Sequence, residues 1–337
     1  MKILKDLKFD DSIINIGSVL NKPETFTNEI LELKNKTEIN KINGIYSATE
    51  LLNRKIEEIP CLLEPIFPKV GLCGFAGSSD NGKSCFLRQF AISVSIGEPE
   101  FLGFKLNAEH KRAIYISTED DEYAVSYLLN KANREKRLNH NEYERLSFIF
   151  NTDNLLIKLE NQLLNHKTDL IVIDAFTDLY GRSMNDTNKV RTFLNEYSQL
   201  AQKHKCLVIF IHHTGKRTED LTPSKHNLLG SQGFEAKMRL VIELRVDHIE
   251  HKKRHLCIVK GNYLPKEYKT ESYVLIFNDN LQFLMTDERR LFDELKTDNK
   301  IDIKEIVKKK KEGGKTQKEI ARELKISQAT VCRYLKE

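Results

Sequence analysis

The stretch Gly77-Ser-Ser-Asp-Asn-Gly-Lys-Ser84 meets the pattern G-x-x-x-x-G-K-[ST] at every fixed position. Gly77 and Gly82 let the backbone turn sharply. The amides of Ser78, Ser79, Asp80 and Asn81 can then converge on an anion. A helix opening at Lys83 and running on through Cys85 adds the positive end of its dipole. In such a turn the Lys83 ammonium reaches the β- and γ-phosphates of a nucleotide, and the Ser84 hydroxyl ligates Mg2+. Gly77 to Cys85 is therefore a candidate phosphate-binding turn.

Three further positions could complete that chemistry. Asp174 closes the apolar run Leu170-Ile-Val-Ile, and a carboxylate at the C-terminal edge of a parallel sheet stands where ligands bind, as a second ligand to the metal. Glu119 follows Ile-Tyr-Ile-Ser-Thr and has two readings. It could polarise a water for in-line attack on a γ-phosphate, or it could be a first-turn acid of a helix capped by Thr118. His212 and His213 end another apolar run, with no third ligand at a spacing that suits zinc. They are either γ-phosphate sensors or ordinary polar residues at a strand end.

Positioning these groups takes strands and helices in alternation. Strand-length apolar runs occur at 70–75, 113–117, 148–150, 169–173 and 206–211. Helical patterns fall at 83–96, 122–138, 141–146, 153–166 and about 187–204. Continuously apolar strands between helices predict an α/β fold with a parallel sheet covered on both faces. After Arg239 strand follows strand, at 239–247, 255–260, 272–277 and 281–285, which predicts an antiparallel extension. The expected domains are an N-terminal arm (1–45), the main α/β domain (46–286), a charged linker (287–300) and a small all-α domain (301–337).

The last segment fits a helix-turn-helix. Ile320, Ala321 and Leu324 face inward, Ile326 fills the turn, Ser327 caps the next helix, and Val331 and Leu335 pack at i, i+4. Gln328, Thr330 and Arg333 would then be free to meet base edges. Residues 301–337 hold 11 Lys/Arg against 6 Asp/Glu, which is the whole net charge of +5. A basic appendage on a neutral body points to nucleic acid. The apolar runs fall far short of a membrane span, the N-terminus has no apolar leader, and six scattered cysteines form no CxxC pair. These features predict a cytoplasmic protein without a membrane partner, a zinc site or a disulfide framework.

Between Tyr46 and Met285 the chain resembles the RecA-like hexameric P-loop ATPases, specifically the RepA-type replicative helicases. The matching stretches are Tyr46-Ser-Ala-Thr-Glu-Leu-Leu52, the turn at 77–84, Ser117-Thr-Glu119, Leu170 to Asp174 as Walker B, and Ile211-His-His-Thr-Gly-Lys216. The resemblance implies Glu119 as general base and His213 as γ-phosphate sensor, acting with Lys83. It implies ATP and Mg2+ as cofactors, the metal held by Ser84 and Asp174. It also implies a homo-oligomeric, hexameric ring in which the segments Thr177 to Lys189 and Thr214 to Phe234 line a channel for single-stranded DNA. The second would be a mobile cationic loop carrying Lys216, Arg217 and Lys225. Relatives supply a Lys-x-Arg pair in trans; here Lys260 holds the lysine position and Asn262 the arginine one, leaving Arg239 and Arg245 as substitutes. The resulting expectation is a DNA-dependent ATPase, a ring helicase or translocase in replication of a plasmid or mobile element. The alternative is a non-motor DNA-binding ATPase switch or loading mediator. A small-molecule kinase would leave the antiparallel extension and the His-His motif without a role.

Overall fold

The computed structural model describes residues 44–136, 140–215, 218–230, 232–296, 301–324 and 326–336. Lys216 and Arg217 lie outside the described residues, as does nearly all of the expected arm. The chain divides into two units, Met1–Ile59 and Pro60–Glu337. In the first unit Leu51, Leu52, Ile56 and Ile59 are exposed; in the second the first core side chains are Leu62 and Leu63. In the first unit, α1 (Ala48–Leu52) is closed by a capping box between Ser47 and Glu50.

The second unit begins with β1 (Cys61–Leu63) and β2 (Phe67–Pro68), then β3 (Gly71–Gly77) and α2 (Lys83–Ile96). A short hairpin of β4 (Glu100–Phe101) and β5 (Phe104–Lys105) leads to β6 (Ala113–Ser117), α3 (Glu122–Lys136) and β7 (Leu146–Ile149). Next come α4 (Leu155–Asn165), β8 (Leu170–Asp174), α5 (Phe176–Tyr180), α6 (Thr187–His204) and β9 (Leu207–His213). After α7 (Gln232–Lys237), four strands follow: β10 (Leu240–Val246), β11 (Lys253–Gly261), β12 (Glu271–Phe277) and β13 (Phe283–Leu291). Three helices end the chain: α8 (Ile301–Glu312), α9 (Gln317–Glu323) and α10 (Gln328–Lys336).

Among the described residues these strands build a nine-stranded sheet, ordered β13-β12-β11-β10-β3-β9-β8-β6-β7. The pleat sorts each central strand between two cores. Cys73 and Phe75 of β3, Ile209 and Ile211 of β9 and Val172 of β8 face one core, with Phe86, Phe90 and Val94 of α2. Leu72, Val208, Phe210, Ile171 and Ile173 face the other, against Leu159 of α4 and Val190, Leu194 and Tyr197 of α6. The Phe75 and Phe86 rings stack at 4.8 Å, which locks α2 onto β3 and fixes the turn between them.

Three expectations need correction. β10 runs parallel to β3, so the antiparallel extension starts one strand later, at β11. The stretch from 287 is not all linker, because β13 continues to Leu291 and pairs with β12 at Glu271, and Phe292–Leu295 forms a 3-10 turn. Its polar residues belong to an edge strand, where one side faces water. The segment 214–234 is not a structureless loop. It contains short 3-10 turns at Thr218–Asp220 and Lys225–Asn227, the start of α7, and a bridge between Thr214 and Leu228.

The last three helices enclose their own small core of Val307, Ile320, Ala321 and Val331, with Leu324, Ile326 and Leu335 packed against it. Ser327 accepts from the Thr330 amide at 3.1 Å, and Thr316 with Glu319 forms a capping box on α9. No helix among the described residues is long and apolar enough to cross a membrane.

Candidate nucleotide-binding site

The glycine-rich turn leaves β3 at the C-terminal edge of the sheet. A Cβ at Gly77 would fall against the Asn81 side chain and the Leu244 carbonyl, and one at Gly82, where φ is 95°, would lie 2.9 Å from the Phe283 ring. Only glycine fits both places. Asn81 is fully buried and acts as the anchor: its side-chain amide donates to the Leu244 carbonyl, and its own carbonyl accepts from Arg254 Nε at 2.9 Å. The turn is thus braced by β10 and β11. Lys83 points back into it, donating to the Ser78 carbonyl at 2.6 Å. Burial pulls its ammonium below the usual lysine range, while Asp174, Glu119, Asp80 and Glu219 act in opposition.

Asp174 lies next to α2. Its Oδ2 accepts from the Tyr115 hydroxyl at 2.7 Å, and its Oδ1 is buried without a hydrogen-bond partner. Burial raises the carboxyl above its ordinary range against the pull of the Tyr115 and Ser84 hydroxyls. An unsatisfied buried carboxylate oxygen beside a serine hydroxyl is an oxygen-donor set that suits a hard cation such as Mg2+.

Glu119 does not belong to α3. That helix starts at Glu122, and Asp121, not Thr118, caps it by accepting from the Ala124 amide at 2.8 Å. The Thr118 hydroxyl instead accepts from the Ala175 amide at 2.9 Å and lies 2.9 Å from the Asp174 carbonyl, clamping β6 to β8. Glu119 is left half-exposed beyond the strand, with its Oε1 3.6 Å from His213 Nε2. The second histidine has a different place. His212 is buried against Phe176 and Phe234, and its ring nitrogen Nε2 is 2.9 Å from the Leu229 carbonyl, which can only accept. Burial pushes its pKa down to about 4, so the ring is neutral near pH 7.

The sequence reading missed a buried network that organises the segment after β9. Glu243 accepts from the Ser224 amide at 3.0 Å, the Asn227 side chain at 3.2 Å and Arg245 Nε at 2.8 Å. Arg245 also donates to the carbonyls of Thr218, Glu219 and Leu221. The signal was present: Glu243 and Arg245 sit two apart in an otherwise apolar strand, which puts both on one face. Arg245 is therefore an internal brace and not an outward cation. The same segment touches the phosphate turn twice, through Thr214 N–H to the Gly77 carbonyl at 3.3 Å and through the Ser78 hydroxyl, which donates to Glu219.

The other expected cations also have partners within the chain. Lys260 and Lys225 share Glu235 at 3.0 and 3.3 Å. Arg239 donates to the Val70 carbonyl at 2.9 Å, at the end of β3 opposite the turn. In the C-terminal helices Gln328 and Arg333 are exposed, and Thr330 is bound to the Ser327 hydroxyl at 2.8 Å.

Comparison with known proteins adds two findings. A family model described as an AAA domain matches residues 45–219. Among solved structures, one described as an ATPase domain aligns with a TM-score of 0.54 at 13% identity, covering 71% of this chain and 96% of that one. No curated protein sequence matches the chain.

Proposed function

The chain belongs to the AAA domain family, whose model spans residues 45–219, and from that premise we propose that it hydrolyses ATP in a cycle coupled to DNA. The observation carrying the reading is the convergence of Lys83, the partnerless Asp174 Oδ1 and the half-exposed Glu119 around one glycine turn. The turn amides and Lys83 would hold the triphosphate, drawing off charge that builds on the γ-phosphoryl oxygens. Ser84 and Asp174 would hold Mg2+, which supplies further neutralisation of phosphate charge when bound. Glu119 would take the proton of the attacking water as its oxygen bonds to the γ-phosphorus. The bond to the β-phosphate oxygen breaks, leaving ADP and inorganic phosphate. His213, 3.6 Å from Glu119, would sense the departure of phosphate and pass it into the segment after β9.

The finer reading is a ring-forming helicase or translocase on single-stranded DNA. Its support is the segment after β9, hydrogen-bonded to the phosphate turn through Thr214 and Glu219, a short mechanical route from nucleotide to a DNA-facing loop. A second reading, a non-motor ATPase switch or loading mediator, is favoured by one set of observations. Asn262 carries no charge, and Arg239, Arg245 and Lys260 are each already engaged within the chain, so none of them stands as an uncommitted arginine finger in trans. The C-terminal helices, with Gln328 and Arg333 exposed, would direct either activity to duplex DNA. Strand displacement on a forked substrate, run beside DNA-stimulated phosphate release, separates the readings. A motor shows both; a switch hydrolyses without unwinding.

A further inference from the structure

A cavity of about 320 Å3 opens beside the tip of the phosphate turn, lined by Ser78, Ser79 and Asp80 together with Glu219, Arg245 and Asp247. The Ser78 hydroxyl donates directly to Glu219. That carboxylate also lies within the electrostatic reach of Lys83, as do Asp174, Glu119 and Asp80. Its position is imposed by the backbone: Arg245 holds the carbonyls of Thr218, Glu219 and Leu221, and Glu243 holds Arg245. We propose that Glu219 is an internal carboxylate competing with the triphosphate for the phosphate turn, so that nucleotide binding and the docked position of the 218–221 segment oppose each other.

The proposal rests on the reading of Gly77 to Ser84 as a triphosphate site. An anion entering that turn meets Glu219 at its tip, and two like charges around one ammonium repel. Relief comes when Ser78 exchanges the carboxylate for a phosphate oxygen and the segment moves off. A DNA strand that draws the same segment away would lower the cost of ATP binding, and ATP would favour the DNA-bound position by the same factor. Glu219 is thus a positioning residue that sets the affinity of the turn.

The test is an equilibrium titration of Mg-ATP and Mg-ADP into the full chain and into Glu219→Gln, Glu219→Asp and Lys83→Ala, at low and high salt. Glu219→Gln should tighten ATP about three- to tenfold, by removal of one like charge at short range. The gain should be larger for ATP than for ADP and should shrink as salt is raised. Glu219→Asp, which keeps the charge, should stay close to the wild type. A merely structural role would weaken binding in Glu219→Gln, so unchanged or weaker ATP affinity there overturns the proposal. If Lys83→Ala loses ATP while Glu219→Gln matches the wild type, the role of Glu219 alone fails. If Lys83→Ala binds like the wild type, the assignment of the turn fails with it.

Discussion

Two side chains define the chemistry at the scale of single residues. Glu119 is placed beyond β6, outside the helix, with one oxygen 3.6 Å from His213. If Glu119 is the base, as proposed, Glu119→Gln removes it but keeps shape and polarity, so ATP affinity should persist while phosphate release falls by about 10²- to 10⁴-fold, the usual weight of a general base. Nucleotide binding and phosphate release measured on the same preparation check this. Tyr115 is the other. Its hydroxyl holds Oδ2 of Asp174 and leaves Oδ1 free, so Tyr115→Phe should weaken the Mg2+ dependence of nucleotide binding severalfold with the fold intact. A metal titration at fixed ATP reads that shift. Much of this level was legible beforehand, because the fixed spacing of glycines, lysine and serine states its own chemistry. Asn81 as anchor, Tyr115 behind Asp174 and Glu219 at the turn were not, because each acts through a partner distant in sequence.

Among the elements, α2 and α6 match the expected 83–96 and 187–204. α6 declares its period through the stripe Val190, Leu194, Tyr197 and Ala201, whereas α2, buried nearly all round, is marked by the glycine turn that opens it and by Gly97 that ends it. The segment after β9 did not declare its order. Its polar sequence resembles a free loop, and its shape comes from Glu243, Asn227 and Arg245, which no local pattern reveals. The 287–291 stretch misleads for a related reason: the exposed side of an edge strand has the composition of a linker. Two predictions belong here. Arg245→Met leaves Glu243 buried without its cation and should cost about 3–5 kcal/mol, read by chemical denaturation. His212 titrates far below the usual histidine value of about 6.5. The unfolded chain binds its proton first, so the stability it contributes is present above that value and is lost as pH falls towards 4. His212→Gln should flatten the stability profile across that window; identical slopes would remove His212 from the account.

For the whole molecule, charge and fold divide the work. Residues 301–337 carry the entire net +5, and their helices hold a separate small core. Arg333→Ala, exposed on the last helix, should lower duplex DNA affinity severalfold and reduce its salt dependence, leaving phosphate release unchanged. Titration of labelled duplex at two salt concentrations decides this. The central claim lies at the edge of the sheet, where the turn after β3, the end of β8 and the segment beyond β6 bring together an ammonium, a partnerless carboxylate oxygen and an exposed carboxylate. Its most direct measurement is inorganic phosphate released from ATP by the wild type and by Lys83→Ala under identical conditions. The wild type should turn over, and the variant should lose at least about 10²-fold, as expected when a main charge-stabilising donor is removed. Equal rates from the two proteins would contradict the account.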